Sequence, residues 1–423
     1  MEIITTVKGF KDILPQETGK WQFVETCARH FFENFGFQDI RVPILEKTAL
    51  FKRSIGETTD IVEKEMYTFL DRSDEYLTLR PEATAGIIRS YIEHNISKKE
   101  SVSKLYCIGP MFRRERPQKG RFRQFHQINA EVIGIDSARI DAEVIFMLFH
   151  FLQKIGLPFL VVEINSLGCN KCRTTFRESV LTFLENKKDK LCADCVRRMN
   201  INPLRIFDCK VESCKEIMKS APAITDFICS DCRNHFDELQ NYLNDYNVAF
   251  RINKFMVRGL DYYTKTAFEV TTNHLGAQNA VCGGGRYDGL VKQLGGPDVS
   301  GIGFAIGFER LVSLLPDDDI FIKKPILFVA MIGEATHQKA FLLVNELRLA
   351  GISCETDYFS KSLKNQMKRA DRLGCRFALI IGEDELLKKE AIIKNMTDGK
   401  QTIVSLTNIE NIISFIQKEA EVV

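Results

Sequence analysis

Phe112–Gln127 reads FRRERPQKGRFRQFHQ, with five arginines, one lysine and a single acid. The chain around it carries a net charge of only +2 over 423 residues, so this density is local and is not the trace of a generally basic protein. Apolar, alternating residues lie on both sides, and the pattern fits a hairpin over 105–134 with a long basic loop. Taking 109–115 and 123–133 as its strands, period two puts Arg113 and Glu115 on one face of the first. On the second, Phe125, Gln127, Asn129 and Glu131 share a face, while Ile128, Ala130 and Val132 turn to a core. A polar face backed by an apolar one is a binding floor. Arg116, Lys119 and Arg121 lie in the loop, free to reach a phosphate or an RNA.

Outward from the hairpin, the chain breaks into regions of different rhythm. Trp21, Val24, Ala28, Phe31, Phe32 and Phe35 recur at helical spacing, and Gly36 is placed to cap the helix. FQDIRVPIL is an extended segment in which Pro43 forbids a central-strand position. MYTFL and YLTLR, joined by DRSDE, form a second hairpin, and Arg80-Pro81-Glu82 opens a short helix. After VEINSLG, residues 169–248 change character, with polar helices, cysteine pairs and no strand signal, as an insertion would. Strands resume at FRINKFMV, TAFEVTT and QNAVC, and GFAIGFERLVSLLP is a helix stopped by Pro316. The acids at 317–319 mark a linker. Beyond it strands and helices alternate, which predicts a separate α/β domain with a largely parallel sheet.

Composition is that of a soluble globular chain, 45% apolar and 27% charged, and no 18-residue apolar run appears. The N-terminal stretch has no apolar core of a leader, so a cytoplasmic protein without membrane contact is the expectation. No G-x-x-x-x-G-K-[ST] occurs, and GIGFAIG misses G-x-G-x-x-G by one position. If a nucleotide binds, arginine forks must hold its phosphates. The three glycines of GGGRYDGL suit either a backbone passing close to substrate or a tight turn.

Eight of the 13 cysteines lie between Cys169 and Cys232. Cys169/Cys172, Cys192/Cys195, Cys209/Cys214 and Cys229/Cys232 are four close pairs. In a reducing compartment a disulfide framework is not expected. Thiolates at this spacing suit structural zinc, two pairs to a site and two sites at most. A set of buried reduced thiols is the alternative.

These segments, in this order, resemble the histidyl-tRNA synthetase family of class II aminoacyl-tRNA synthetases over essentially the whole chain. The helix before Pro43 is similar to motif 1, FRRERPQKGRFRQFHQ to motif 2 and GIGFAIGFERL to motif 3. RPEAT at 80–84 and RGLDYYTKTAFE at 258–269 resemble stretches specific to the histidine enzymes. The resemblance implies an α+β fold: a catalytic domain on an antiparallel sheet over 1–322, interrupted by the insertion 169–248, and an anticodon-binding-type α/β domain over 323–423. It implies ATP with Mg²⁺, histidine and tRNA(His) as ligands, and a homodimer formed through the motif 1-like region. By position, Arg113 and Arg258 would hold the α-phosphate and the substrate carboxylate. Arg310 and Phe125 would sandwich adenine, with Glu115 helping to place it. Glu82, Thr84 and Gln127 would take the ammonium, beside Ala83 where the family usually has glycine. Glu131 and Tyr263 would bracket the imidazole, with Tyr262 lining its pocket. The resemblance does not supply the cysteines.

Two other readings remain. A regulatory paralogue would keep the fold but only sense histidine or tRNA. Such chains typically lose the motif arginines or the C-terminal domain, and this one keeps both. Another class II synthetase sharing the C-terminal domain type would lack RGLDYY and the Gln127/Glu131 pair. On the C-terminal domain, Lys361, Lys364, Lys368 and Arg372 form a basic stripe on one expected helix, either for RNA or for solvent.

Overall fold

The computed structural model describes residues 3–118, 120–272, 280–359 and 361–420. Lys119 of the basic loop and the first two residues of QNAVC lie outside them. The chain divides into two units, 1–317 and 318–423, five residues before the boundary read from the sequence.

In the first unit, helix α1 (Pro15–Asn34) starts on a proline, whose missing N–H costs nothing there, and buries Val24, Ala28 and Phe32. Gly36 follows it at φ +80°. Strand β1 (Gln38–Asp39) is short, and Pro43 falls in the loop before β2 (Leu45–Lys47). After α2 (Thr48–Ile55) comes the hairpin β3 (Tyr67–Leu70) and β4 (Tyr76–Leu79). It gains β2 as a third strand, in the order β2-β4-β3. Helix α3 (Thr84–Glu93) begins later than RPE suggests. Glu82 stays outside the helix and caps it, accepting from the Thr84 and Ala85 N–H groups at 2.9 and 2.8 Å.

Strands β5 (Ser103–Phe112) and β6 (Gln124–Ile133) pair from Ser103↔Ile133 to Phe112↔Gln124. The first strand ends at Phe112, so Arg113 and Glu115 belong to the loop and not to the strand expected over 109–115. Helix α4 (Ala138–Lys154) and β7 (Leu160–Ser166) lead into the insertion. There α5 (Asn170–Glu185), α6 (Ala193–Ile201), α7 (Glu212–Met218) and α8 (Ser230–Asp245) surround Phe176, Val180, Leu184, Met199, Ile206 and Met218.

Strand β8 (Phe250–Ile252) is much shorter than FRINKFMV; it is an edge strand whose partner among the described residues is β7. It is followed by β9 (Thr264–Thr272), β10 (Ala280–Arg286), α9 (Leu290–Gln293), β11 (Gly301–Gly307) and α10 (Phe308–Leu314). Two expectations fail here. GFAIGFERLVSLLP is helical only from Phe308, because glycine-rich GIGFAIG is a poor helix former and pairs with β6 and β10 on either side. Gly283–Gly285 form no turn; they lie within β10.

The eight-stranded sheet runs β1-β5-β6-β11-β10-β9-β7-β8, antiparallel except at its two edge pairs. Its back is sealed by aromatic packing of α1 and α4: the Phe32 ring lies 5.2 Å from Phe151, 5.8 Å from Tyr106 and 5.9 Å from Phe304. With that face apolar, the polar face is left for ligands.

In the second unit, β12 (Leu327–Met331), α11 (Thr336–Leu349), β13 (Cys354–Thr356), α12 (Leu363–Arg372), β14 (Phe377–Ile381), α13 (Glu383–Lys388), β15 (Glu390–Asn395), β16 (Gln401–Ser405) and α14 (Ile409–Ala420) follow in turn. The sheet order is β13-β12-β14-β15-β16. Only β13, β12 and β14 are parallel, since β14, β15 and β16 form an antiparallel meander. The expected largely parallel sheet is therefore half so. Lys361 precedes α12, and Lys364, Lys368 and Arg372 lie exposed on that helix.

Candidate active site

Two connected compartments open on the polar face of the large sheet. The inner one, about 180 Å³, is lined by Glu82, Thr84, Gln127, Asn129, Glu131, Tyr262, Tyr263 and Tyr287, among others. The outer one, about 350 Å³ and more open, is lined by Glu115, Phe125, Glu269 and Arg310 with neighbouring loop residues. Arg113, Gln127, Arg258 and Gly283 line both. Two arginines therefore stand at the junction of a small enclosed space and a larger open one.

Strand β6 builds the inner floor. Gln127, Asn129 and Glu131 alternate along it and are almost fully buried, at 8%, 1% and 1% exposure. Buried polar groups are normally hydrogen-bonded. Here the Gln127 Oε1, the Asn129 side-chain oxygen and nitrogen, and the Arg258 Nε are buried with no partner among the described residues. Four unanswered polar atoms facing one small cavity mark a place built for a polar molecule.

Glu131 is held from two sides, accepting from the Thr84 hydroxyl and the Tyr287 hydroxyl, each at 2.6 Å. Burial pushes its carboxyl up to about 8, against the opposing pull of those two donors. Its carboxylate fits only because residue 303, its partner across the β6–β11 ladder, is glycine. A Cβ there would lie 1.7 Å from its Oε2. The Glu82 carboxyl is also shifted up by burial.

The junction arginines are held differently. Arg113 donates through Nε to the Pro81 carbonyl at 2.9 Å, and its guanidinium lies 5.2 Å over the Phe125 ring. Arg258 is ion-paired with Glu269 and lies 5.4 Å from the Tyr263 ring centre. Gly283 faces Glu269 across the β9–β10 ladder, and a Cβ on Gly283 would come within 2.6 Å of the Arg258 guanidinium. Gly283 thus leaves room for the Arg258 side chain, and its backbone lines both compartments.

Each residue singled out from the sequence can now be placed. Arg113, Glu115, Phe125, Gln127, Glu131, Arg258, Tyr262, Tyr263 and Arg310, with Glu82 and Thr84, line one or both compartments. Ala83 does not: it is fully buried at the start of α3. Thr84 bonds Glu131, and Glu115 accepts from Arg121 at 3.2 Å. Arg310 reaches the Ala280 carbonyl at 2.8 Å. Two residues were missed, and Asn129 was placed on the floor by period two but given no role; Tyr287 and Glu269 meet the site only through strand pairings that local pattern does not show.

The eight insertion cysteines form two groups of four, Cys169/Cys172/Cys229/Cys232 and Cys192/Cys195/Cys209/Cys214, with the sulfurs in each within 4.8 Å of one another. All are free thiols. Cys169 and Cys172 are 3.5 Å apart and Cys192 and Cys209 3.8 Å apart. Cys172 and Cys214 accept backbone N–H groups at 3.1 and 3.2 Å. Either group could hold a metal ion.

A sequence model of the family described as "Histidyl-tRNA synthetase" matches residues 9–311, and one described as "Anticodon binding domain" matches residues 327–419. The histidine–tRNA ligase of Syntrophotalea carbinolica is 52% identical over 407 residues, covering 96% of this chain and 97% of its own. That of Trichlorobacter lovleyi is 53% identical over 403 residues, covering 95% and 96%. The solved apo histidyl-tRNA synthetase of S. aureus superposes with a TM-score of 0.83 at 36% identity, covering 98% of this chain and 100% of that one. A structure described as an ATP phosphoribosyltransferase regulatory subunit/histidyl-tRNA synthetase from Bacillus halodurans C has a TM-score of 0.65 at 19% identity, covering 90% and 98%, a likeness of fold alone. With the polar sheet face, the paired compartments and matches that span both units, this chain belongs to the histidyl-tRNA synthetase family.

Proposed function

We propose that this chain activates histidine with ATP and transfers the histidyl group to the 3′ end of tRNA(His). The observation that carries the reading is the pair of compartments with Arg113 and Arg258 at their junction. Histidine occupies the inner compartment. Its ammonium meets the oxygens of Glu82, Thr84 and Gln127. Its imidazole lies between Glu131 and the Tyr263 hydroxyl, with Tyr262 against the ring. Each Glu131 oxygen already accepts one bond, and the oxygen without the proton retains a lone pair for a ring N–H.

ATP occupies the outer compartment, its adenine between Phe125 and Arg310, with Glu115 beside it. The amino acid's carboxylate is ionised at pH 7, its pKa being about 3.3–3.7, so no general base is required for attack on the α-phosphorus. Arg113 and Arg258 orient that attack and stabilise the charge that grows on the α-phosphoryl oxygens as pyrophosphate leaves. Glu115 and Glu269 offer the oxygen donors that Mg²⁺ prefers, and the ion would neutralise the β- and γ-phosphates.

The second unit reads the tRNA anticodon, with Lys364, Lys368 and Arg372 placed for phosphates. The chain works as a homodimer in the cytoplasm. Support for the dimer is the apolar surface next to the motif 1-like segment, where Ile44, Leu45, Phe69, Leu70 and Tyr76 are all exposed. No described helix is long and apolar enough to cross a membrane. The cysteine groups hold two structural zinc ions. Tetrahedral Zn–S bonds of about 2.3 Å put sulfurs about 3.8 Å apart, close to the spacings seen.

Pyrophosphate exchange measured with each of the 20 amino acids tests the assignment. Histidine alone should support exchange. Exchange with another amino acid would overturn the specificity, and histidine binding without exchange would favour the regulatory alternative.

A further inference from the structure

The insertion bonds the catalytic loop through Arg173 of α5, which reaches the Asp261 carbonyl at 3.4 Å, and more closely through Arg205 and Asn202. Arg205, in the 3₁₀ turn Pro203–Ile206, sends one guanidinium nitrogen to the Arg258 carbonyl at 3.1 Å and the other to the Asp261 carboxylate at 2.6 Å. Asn202 reaches the same carboxylate at 3.3 Å. Arg198, on α6, holds the Arg205 carbonyl at 3.2 Å and Asp60, outside the insertion, at 2.9 Å. Arg205 is only 12% exposed. One fork thus braces both ends of Arg258-Gly-Leu-Asp261.

On one side the loop is held by Leu260 packing among Phe51 and Ile55 and by the Asp261 N–H donating to the Ile55 carbonyl at 3.2 Å, but toward the insertion it is not packed. A cleft of about 430 Å³ lies between it and the insertion, lined by Phe176, Phe207, Arg173 and Leu260 among others. From the insertion side, hydrogen bonds across the cleft carry the support. The segment providing them is bounded by the second cysteine group: Cys192 and Cys195 begin α6, and Cys209 and Cys214 lie just past the turn. A metal there would tie the two ends of the Arg205 segment together, whereas one at Cys169/Cys172/Cys229/Cys232 would tie the start of α5 to that of α8.

We infer that the Cys192/Cys195/Cys209/Cys214 site is a clamp: metal bound there fixes Arg205, Arg205 positions the Arg258 loop, and metal occupancy sets the rate of adenylation. This rests on the ligase reading and on metal binding above. Arg205 acts through Arg258 and is a positioning residue.

The test compares wild type, Arg205→Ala and Arg205→Lys, each with its metal and after chelator dialysis. Arg205→Ala should keep the wild-type metal content and melting temperature, lose about tenfold in the kcat of pyrophosphate exchange, and change the KM for histidine less than about twofold. Arg205→Lys, with one donor group in place of a fork, should recover part of that loss. Amide hydrogen exchange over 256–263 should speed up in Arg205→Ala. Metal-stripped wild type should match Arg205→Ala in rate and amide exchange and recover with added zinc, while stripping Arg205→Ala should change its kcat no further. Wild-type kcat and amide protection in Arg205→Ala would overturn the clamp. Purified protein free of metal would overturn the metal part alone, with the Arg205 variants still deciding the rest. A wild type without histidine-dependent exchange would sink the ligase reading, and amide exchange would then decide the clamp by itself.

Discussion

Two arginines of the first unit are buried in opposite ways. Arg286, at the end of β10, has no exposed surface, and its donors are answered: Asp141 takes its Nε at 3.1 Å, Asp288 an Nη at 2.9 Å, and the carbonyls of Ile135 and Ser137 the others at 3.0 and 3.2 Å. Asp141 also meets His235 of α8 at 2.9 Å, so this cation ties sheet, α4 and insertion together. Arg258 has one carboxylate partner and a buried Nε with none among the described residues. A fully satisfied buried cation belongs to the scaffold. One with an unanswered donor beside a cavity is poised for an anion that arrives later.

The contrast is broken or kept by truncating each. Arg286→Ala leaves Asp141 buried opposite an empty space, and urea unfolding should show a loss of about 3–5 kcal/mol. Arg258→Ala leaves Glu269, whose side chain is 28% exposed and partly answered by water, so stability should stay near wild type. Its cost should fall on the reaction, on the order of 10²–10³ in the kcat of pyrophosphate exchange, or about 2.7–4 kcal/mol. If Arg258→Ala unfolds as easily as Arg286→Ala while the folded fraction stays active, the distinction is wrong.

A gentler change sharpens the same comparison. Gly283→Ala puts a methyl within 2.6 Å of the Arg258 guanidinium without removing any charge. The side chain has to swing aside, and a shift near 1 Å should lower kcat by about tenfold to a hundredfold with the fold retained. An unchanged kcat would mean that the position of Arg258 is not critical.

How much of this was legible beforehand depended on how far along the chain the partners lie. Gln127, Asn129 and Glu131 share one strand, so period two alone puts them on one face. The four cysteine pairs were equally visible, because three of them are C-x-x-C steps. Which pairs combine was not, since Cys172 and Cys229 meet only after α5 to α8 have folded. The pairing of Glu131 with Gly303 joins two remote strands, and Arg258 meets Gly283 and Glu269 by reaching from a loop onto two strands, so no local pattern carries them. Glycine was misjudged in both places: GFAIG was taken into a helix and GGGRYD allowed as a tight turn, yet both are strands in the sheet centre, where Gly303 and Gly283 clear space for charged side chains. The basic stripe on α12 and the paired strands of the motif hairpin were legible in kind, and their ends were off by a few residues.

The last comparison concerns Glu131 and pH. Burial raises its folded-state pKa to about 8 from 4.5. The folded state therefore holds a proton through a range where the unfolded chain has lost it, and by linkage stability must fall as pH rises. The contribution is complete below about pH 4.5, drains away as pH climbs, and is gone above about pH 8, at a slope of at most about 1.4 kcal/mol per pH unit. Glu131→Gln has no proton to lose, so it isolates this group from every other titration in the protein. The stability of wild type minus that of Glu131→Gln, measured by unfolding between pH 5 and 8.5, should shrink steadily and then level off. A difference that stays constant or widens with pH would mean that Glu131 is ionised in the folded apo protein. In that case it would meet histidine as a fixed anion, favouring the imidazolium, in place of a site that shares one proton with the ring. Histidine KM measured over the same range separates these two: a shared proton gives tightest binding between the ring's own pKa of about 6.5 and pH 8, and a fixed anion gives binding that tightens continuously as pH falls toward 6.5.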